Sequence, residues 1–272
     1  MIENLIIGKN SNLSIAISKK IENCHLISAR DINSNIKILD SFKINKINLI
    51  FNNFQPATKL NELNDSENYI INTILITAKI LDYFKNCDIN KIIYTSSSSV
   101  YGSNIFCNEY DDLKPMNMHA SLKVANEMLI KKYCLDNNID YTITRLFNMY
   151  GENDNFSIVS KLISAVNMNN EITIVNNGNA IRDFIHIDDV VDIYAKLLDK
   201  KGINIINIGT GTGNSIKNIL DFFKSNNIKI QTKNIFRNEL KTSTSNNKLL
   251  YDLLDKKIFI KIEDFLKKEF NL

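Results

Sequence analysis

Thr95-Ser96-Ser97-Ser98-Ser99-Val100-Tyr101-Gly102 continues the β-branched run Lys91–Thr95, and Lys123 lies one helix further on with His119 four residues before it. A short apolar run closed by small polar residues and Gly reads as a buried strand ending in a cluster of hydroxyls. Residues four apart share one helical face, so His119 and Lys123 present an imidazole and an amine side by side. Hydroxyls at a strand end, facing an ionisable pair on a helix, are suited to moving protons and point to proton and hydride chemistry.

Similar runs flank this stretch at Asn4–Ile7, His25–Ser28, Ile47–Phe51 and Asp140–Arg145. Ile71, Ile74, Ala78, Leu81 and Phe84 recur at helical spacing before Lys91, and Ala125, Met128, Leu129 and Tyr133 do so after His119. Strands are expected again over Ile172–Val175 and Asn204–Ile208, with a helix over Ile187–Leu198 between them. Alternating strands and helices predict an α/β fold, a parallel sheet with helices on both faces. The region from Gly8 to Phe51 is short for a full set of such units and leaves Asn33–Phe42 as a brief connection.

Composition narrows the function classes. A chain of 272 residues, 44% hydrophobic, has room for one large α/β domain with or without a small lobe. Its 33 basic and 30 acidic residues are spread along the chain, for a net charge of +3, so no basic patch invites nucleic acid or an anionic membrane surface. Cys24, Cys87, Cys107 and Cys134 lie far apart, with no Cys-x-x-Cys pair and no His at metal-ligand spacing. They read as reduced thiols of a cytosolic protein, and no metal site is expected. No apolar run approaches the roughly 20 residues of a membrane span. The stretch Met1–Gly8 is too short and too acidic for a signal peptide, so a cytoplasmic location is expected.

Further motifs lie outside this core: Arg145-Leu146-Phe147-Asn148-Met149-Tyr150-Gly151, Ile181-Arg182-Asp183-Phe184-Ile185-His186-Ile187-Asp188-Asp189, and Asn207-Ile208-Gly209-Thr210-Gly211 followed by Ser215. Arg237-Asn238-Glu239 and Asn246-Asn247-Lys248 come later. With Ser97, Val100-Tyr101-Gly102 and the segment from Pro115 to Lys123 and Glu127, they make the chain resemble the extended short-chain dehydrogenases/reductases, the NAD-dependent epimerase/dehydratase family acting on nucleotide sugars. The resemblance runs from Gly8 to about Lys248.

It implies a Rossmann-type doubly wound parallel sheet with a small C-terminal substrate-binding lobe. The dinucleotide-binding domain would be residues 1–147, completed by about 181–212, and residues 148–272 would be mainly the lobe. It implies that Lys123 binds the nicotinamide ribose and that Ser97, with Ser98 as a neighbour easily confused with it, bonds the reacting oxygen. The family's catalytic tyrosine falls on His119. Neutral, this imidazole can accept a proton from a hydroxyl; protonated, it can give one to a ketone. Tyr101 is another candidate acid.

The family's three cofactor-loop glycines, which turn the chain and let backbone amides reach a pyrophosphate, fall on Gly8, Ser11 and Ser14. Asp31, 23 residues after Gly8, suits the adenosine ribose, while Arg30 suits a 2′-phosphate, so NAD and NADP both stay open. The resemblance implies that Asn148, Arg182 and Arg237 meet the nucleotide-diphosphate sugar, and the two arginines suit this because guanidinium forks grip diphosphate oxygens two at a time. His186 and Asp188 read as structural. Arg182 has an alternative reading as an ion-pair partner of Asp183 or Asp188.

The expected reaction is epimerisation or 4-ketoreduction, with hydride moving at a sugar carbon, in the making of surface polysaccharide sugars. Dehydratases of the family place Asp-Glu after the catalytic hydroxyl, where this chain has Ser98-Ser99. The alternative is a non-catalytic relative that binds a dinucleotide or sugar nucleotide. A homodimer through the helix after the third strand and the helix bearing Lys123 is expected from the family.

Overall fold

The computed structural model describes residues 2–53, 66–151, 154–254 and 258–272. Six strands form one mostly parallel sheet, in the order Ile205–Ile208, Asp140–Leu146, Ile89–Ser97, Lys46–Phe51, Ile2–Ile7 and Cys24–Ile27. Helices cover the sheet, so its central strands are near-continuous apolar runs and not alternating ones. Leu5, Ile6, Ile7, Leu49, Ile50 and Phe51 are all fully buried.

The chain leaves the first strand to one side, pairs Cys24–Ile27 there, and returns to pair Lys46–Phe51 on the other side. That reversal creates a switch point at the carboxyl ends of Ile2–Ile7 and Lys46–Phe51, where sheets of this kind bind ligands. The short connection is a helix, Ala29–Ser34, followed by the 3-10 turn Ile36–Phe42, with no strand between. Cys24–Ile27 is therefore the edge of the sheet.

The chain divides into two compact units: Met1–Gly102, Asp112–Arg145 and Val191–Ile206 form the first, and Ser103–Asp111, Leu146–Val190 and Asn207–Leu272 the second. The second holds a five-stranded sheet in which Ile181–His186 pairs Gly213–Ser215, Thr242–Ser245 and Asn148–Tyr150. The strand expected over Ile172–Val175 lies apart from both sheets, as Glu171–Val175 in a parallel ribbon with Gln231–Ile235. Tyr150, Leu162, Phe184, Phe223 and Leu266 form part of this unit's apolar core.

Two helices bury faces other than their apolar stripes. In Met118–Asn137 the buried residues are Ala120, Lys123, Asn126, Glu127, Ile130 and Cys134, whereas Met128 is 53% exposed. Before Lys91, the helices Ser66–Ile70 and Ile76–Tyr83 are joined by a π turn, Ile71–Leu75. Its wider turn shifts the register, so Thr73, Ile76, Thr77, Ile80 and Leu81 face inward in place of Ile71, Ile74 and Ala78. No helix among the described residues is long and apolar enough to cross a membrane.

Candidate active site

The first strand turns at Gly8, whose φ of +122° only glycine adopts freely. A Cβ there would sit 2.4 Å from the Asn52 carbonyl oxygen. Three residues on, Ser11 has φ −74° and ψ 133°, ordinary extended backbone. Its Oγ caps the helix Asn12–Lys20 by accepting from the Ser14 N–H at 3.5 Å. Ser14 is fully buried and its Oγ accepts from Asn52 Nδ2 at 3.3 Å. Neither serine therefore distorts the turn. The helix carries no acidic residue in its first turn, so no carboxylate of that turn opposes an anion at its positive end. The turn fits a dinucleotide pyrophosphate.

Asp31 lies just beyond the second strand. The second strand ends at Ile27, and Asp31 lies in the first turn of Ala29–Ser34, where its N–H donates to the capping Ser28 Oγ at 3.4 Å. Ser28 has the preference of short hydroxyl residues for caps, so the chain coils before the acid is reached. Asp31 lines a shallow pocket with Lys9, Ile27, Ser28, Ile38 and Phe42. Arg30 is exposed and is not among the residues lining that pocket.

The hydroxyl cluster sits at the end of Ile89–Ser97. Ser97 Oγ accepts from the Ser99 N–H at 3.2 Å and caps the 3-10 turn Ser98–Tyr101. Asn117 starts the long helix by accepting from the Ala120 N–H at 2.9 Å. One turn into it, the buried Lys123 donates from Nζ to the Thr95 carbonyl at 2.7 Å. The structure thus brings His119 and Lys123 to the hydroxyl-bearing strand end, with His119 Nδ1 3.4 Å from Ser99 Oγ. Burial, and then the charge of Lys123, push the imidazole down to about 4. Burial also pulls the Lys123 ammonium down to about 7, against an opposing pull from Glu127.

Beneath this pair lies a polar cluster whose parts the sequence motifs contain without revealing their roles. Arg145 donates from Nη2 to Glu127 Oε2 at 2.8 Å and from Nη1 to the Tyr101 hydroxyl at 3.0 Å. Ser96 Oγ donates to Glu127 Oε1. Tyr101 is fully buried with its hydroxyl held by Arg145, which places it badly for an acid that must meet substrate. The available signal was Glu127 four residues after Lys123, on the same helical face.

The second unit holds the expected substrate residues on two paired strands and a loop: Asn148 begins the strand that pairs Ile181–His186, Arg182 lies within Ile181–His186, and Arg237 follows Gln231–Ile235. Asn148 Nδ2 donates to the Asp183 carbonyl at 3.0 Å. Arg182 is 22% exposed and pairs with Glu239 at 3.6 Å, not with Asp183 or Asp188. Glu239 also accepts from Asn176 Nδ2 at 2.9 Å, and Asn176 Oδ1 accepts from the Arg237 N–H at 3.2 Å, which leaves the Arg237 side chain exposed. The organising group is Asp183, fully buried, whose carboxylate accepts from the Thr210, Gly211 and Ser245 backbone and from two hydroxyls. Its Oδ2 would lie 2.6 Å from a Cβ on Gly209, so the glycine there is sterically required. His186 is buried against Tyr150 and Phe265. No group of three or more metal-binding side chains occurs among the described residues.

A family model described as the NAD dependent epimerase/dehydratase family matches residues 8–209. The chain belongs to that family. It is 29% identical over 240 residues to the dTDP-D-glucose 4,6-dehydratase of Dictyostelium discoideum, a match covering 74% of this chain and 55% of that protein. The chain spans only 54 to 58% of the length of the first curated relatives it matches. UDP-glucuronic acid 4-epimerase from Bacillus cereus, solved with UDP-glucuronic acid and NAD, has a TM-score of 0.82 at 22% identity over 100% of this chain and 98% of that one. UDP-N-acetylglucosamine 4-epimerase from Methanobrevibacter ruminantium M1, solved with UDP-N-acetylmuramic acid, has a TM-score of 0.84 at 19% identity over 99% of this chain and 97% of that one. Identities this low speak for the fold alone.

Proposed function

We propose that the protein is an NAD-dependent enzyme that moves hydride at a sugar carbon of a nucleotide-diphosphate sugar, as a 4-epimerase or 4-ketoreductase. Surface polysaccharide synthesis is the process such a product would feed. The observation that carries this reading is the placement of Lys123 and His119 against the hydroxyl-bearing strand end, in the unit that holds the Ser11-capped helix start after Gly8. NAD, when bound, supplies or takes up the hydride. Gly8 and Ser11 hold its pyrophosphate, Asp31 its adenosine ribose, and Lys123 its nicotinamide ribose. The exposure of Arg30 away from the Asp31 pocket favours NAD over NADP.

Ser97 bonds the reacting sugar oxygen, and His119 exchanges the proton with it. Asn148, Arg182 and Arg237 bind the nucleotide sugar, the two arginines through its diphosphate. For Arg182 this means trading Glu239 for phosphate oxygens, a charge-for-charge exchange at a half-buried position. A homodimer is also part of the reading. Met128 and Leu135 are 53% and 60% exposed on the Lys123 helix, and Ile70 and Leu75 are 45% and 42% exposed on the helical stretch before it.

Calorimetric and fluorescence titration with NADH and with NADPH is the first test. Micromolar NADH binding at least tenfold tighter than NADPH binding is expected, followed by oxidation of the bound NADH by a 4-keto nucleotide sugar. A folded, cofactor-free protein that binds neither dinucleotide would overturn the enzymatic reading and leave a sugar-nucleotide binder.

A further inference from the structure

An imidazole in this slot faces a chemical difficulty. Burial and the neighbouring Lys123 both oppose its cationic form, so imidazolium is scarce at neutral pH. Lys123 is the charged group acting on it, from its own helix, while the packed turn Ser98–Tyr101 brings hydroxyls, of which the Tyr101 phenol is already held by Arg145. A histidine that must become a cation to donate would be a poor acid here. A neutral imidazole has another route, because it can release a proton from one ring nitrogen while taking one at the other.

We infer that Ser99 is the positioning residue of this site: its hydroxyl donates to His119 Nδ1, holds the imidazole as the Nε2–H tautomer, and refills the ring as Nε2–H passes to the substrate oxygen. The inference rests on the proposed function for the identity of that oxygen. The two atoms stand 3.4 Å apart, and catalytic bonds commonly tighten from such distances when substrate is present. Ser99 is half-buried, so its hydroxyl can recover a proton from water. Its backbone N–H is occupied by Ser97 Oγ, which fixes the turn that aims the side chain.

The steps balance. In the reducing direction hydride from the nicotinamide cofactor adds to the sugar carbonyl carbon, and the carbonyl π pair becomes a lone pair on oxygen. That oxygen takes the proton from His119 Nε2, Nδ1 takes the proton of the Ser99 hydroxyl, and the Ser99 oxygen is reprotonated from bulk solvent, which supplies the one proton that carbonyl reduction consumes. Imidazolium is never formed. In the oxidising direction every transfer reverses.

Nitrogen-15 NMR of the imidazoles tests the tautomer without any turnover. The chain has only three histidines, so a His119→Gln sample assigns the signal. The expected spectrum shows His119 neutral from pH 5 to 8, with Nδ1 unprotonated and Nε2 protonated. Ser99→Ala should mix the tautomers, lower turnover by about 10², the usual size of a lost proton-transfer partner, and leave NADH affinity unchanged. Ser99→Thr should restore both signals and rate, and the solvent isotope effect should fall from a two-proton to a one-proton form in Ser99→Ala. An Nδ1–H tautomer, a His119 titration near pH 6.5, or full turnover in Ser99→Ala would each overturn the inference. A protein that binds no dinucleotide and turns over no sugar, yet shows the Nε2–H tautomer lost in Ser99→Ala, would refute the enzymatic reading alone.

Discussion

The turn after Ile2–Ile7 carries Ser11 and Ser14 where the family resemblance implies glycines, and the helix Met118–Asn137 carries His119 where that resemblance implies a tyrosine. The turn keeps its shape. Ser11 occupies extended backbone open to any residue, and the Ser14 hydroxyl meets a buried amide from Asn52. Only Gly8 occupies backbone that demands glycine. At the helix the backbone is equally undisturbed, yet the His119 imidazole ionises differently from a phenol, reaches less far than one, and sits beside a lysine that opposes its charge. A turn asks for conformations and small volumes, which several residues supply. A proton-transfer slot asks for one group with one acidity, so a single replacement there changes how the proton must travel.

The largest expected effect lies under the helix, where a change of side chain exposes how tightly the slot is built. Glu127 answers Arg145 directly and opposes the burial of Lys123, and both carboxylate and guanidinium are nearly inaccessible. Glu127→Ala removes the negative partner and leaves buried positive charge uncompensated, a loss of about 3–5 kcal/mol. Urea unfolding monitored by far-UV circular dichroism measures it. A loss below about 1 kcal/mol would mean that water reaches this cluster and that the helix is not pinned by charge.

Next is the glycine that this turn requires. Gly8→Ala forces a side chain into a positive-φ residue and against the Asn52 carbonyl, for a cost of about 1–3 kcal/mol. Because the same residue shapes the amides after the strand, NADH affinity should fall with stability. Paired melting and calorimetry would break the comparison if the variant melted normally and bound NADH like the parent, since the turn would then have no required glycine at all.

How far the chain could be read beforehand follows the same division. Strand positions were legible because a buried parallel sheet writes itself as dense Ile, Leu and Phe runs, and Lys46–Phe51 and Asp140–Leu146 fall within one residue of expectation. The missing unit before Phe51 was legible from chain length alone. Helix faces were not. In Met118–Asn137 the inward positions include Lys123, Asn126 and Glu127, which a hydrophobic period assigns to solvent, while Met128 is exposed. The π turn at Ile71–Leu75 likewise inserts a residue that no 3.6-residue period anticipates. Asp31 was found by its spacing from Gly8, but whether the strand or a helix would carry it depended on Ser28 acting as a cap. Arg182 showed its guanidinium in the sequence but not its partner, because Glu239 lies 57 residues away in a loop, while Arg182 is in the strand Ile181–His186.

The smallest effect sharpens the contrast most, because it restores a glycine that the family pattern calls for. Ser14→Gly returns the third loop position to that pattern, and a view of the serine as harmless drift expects no change or a gain. The structure argues otherwise. The hydroxyl is the acceptor for a fully buried Asn52 amide, and that Asn in turn accepts from Thr95 on the strand leading to the hydroxyl cluster. Removing it leaves a buried donor unsatisfied and places glycine inside the helix Asn12–Lys20, together about 1–2 kcal/mol of lost stability. NADH affinity should stay within about twofold, since the pyrophosphate end depends on Gly8 and the capped helix start and not on the Ser14 side chain. A variant that melts higher than the parent would show that Ser14 and Asn52 are independent. One that melts lower while binding NADH equally would show that this turn has replaced a glycine by a hydrogen bond, and that its remaining tolerance ends at Gly8.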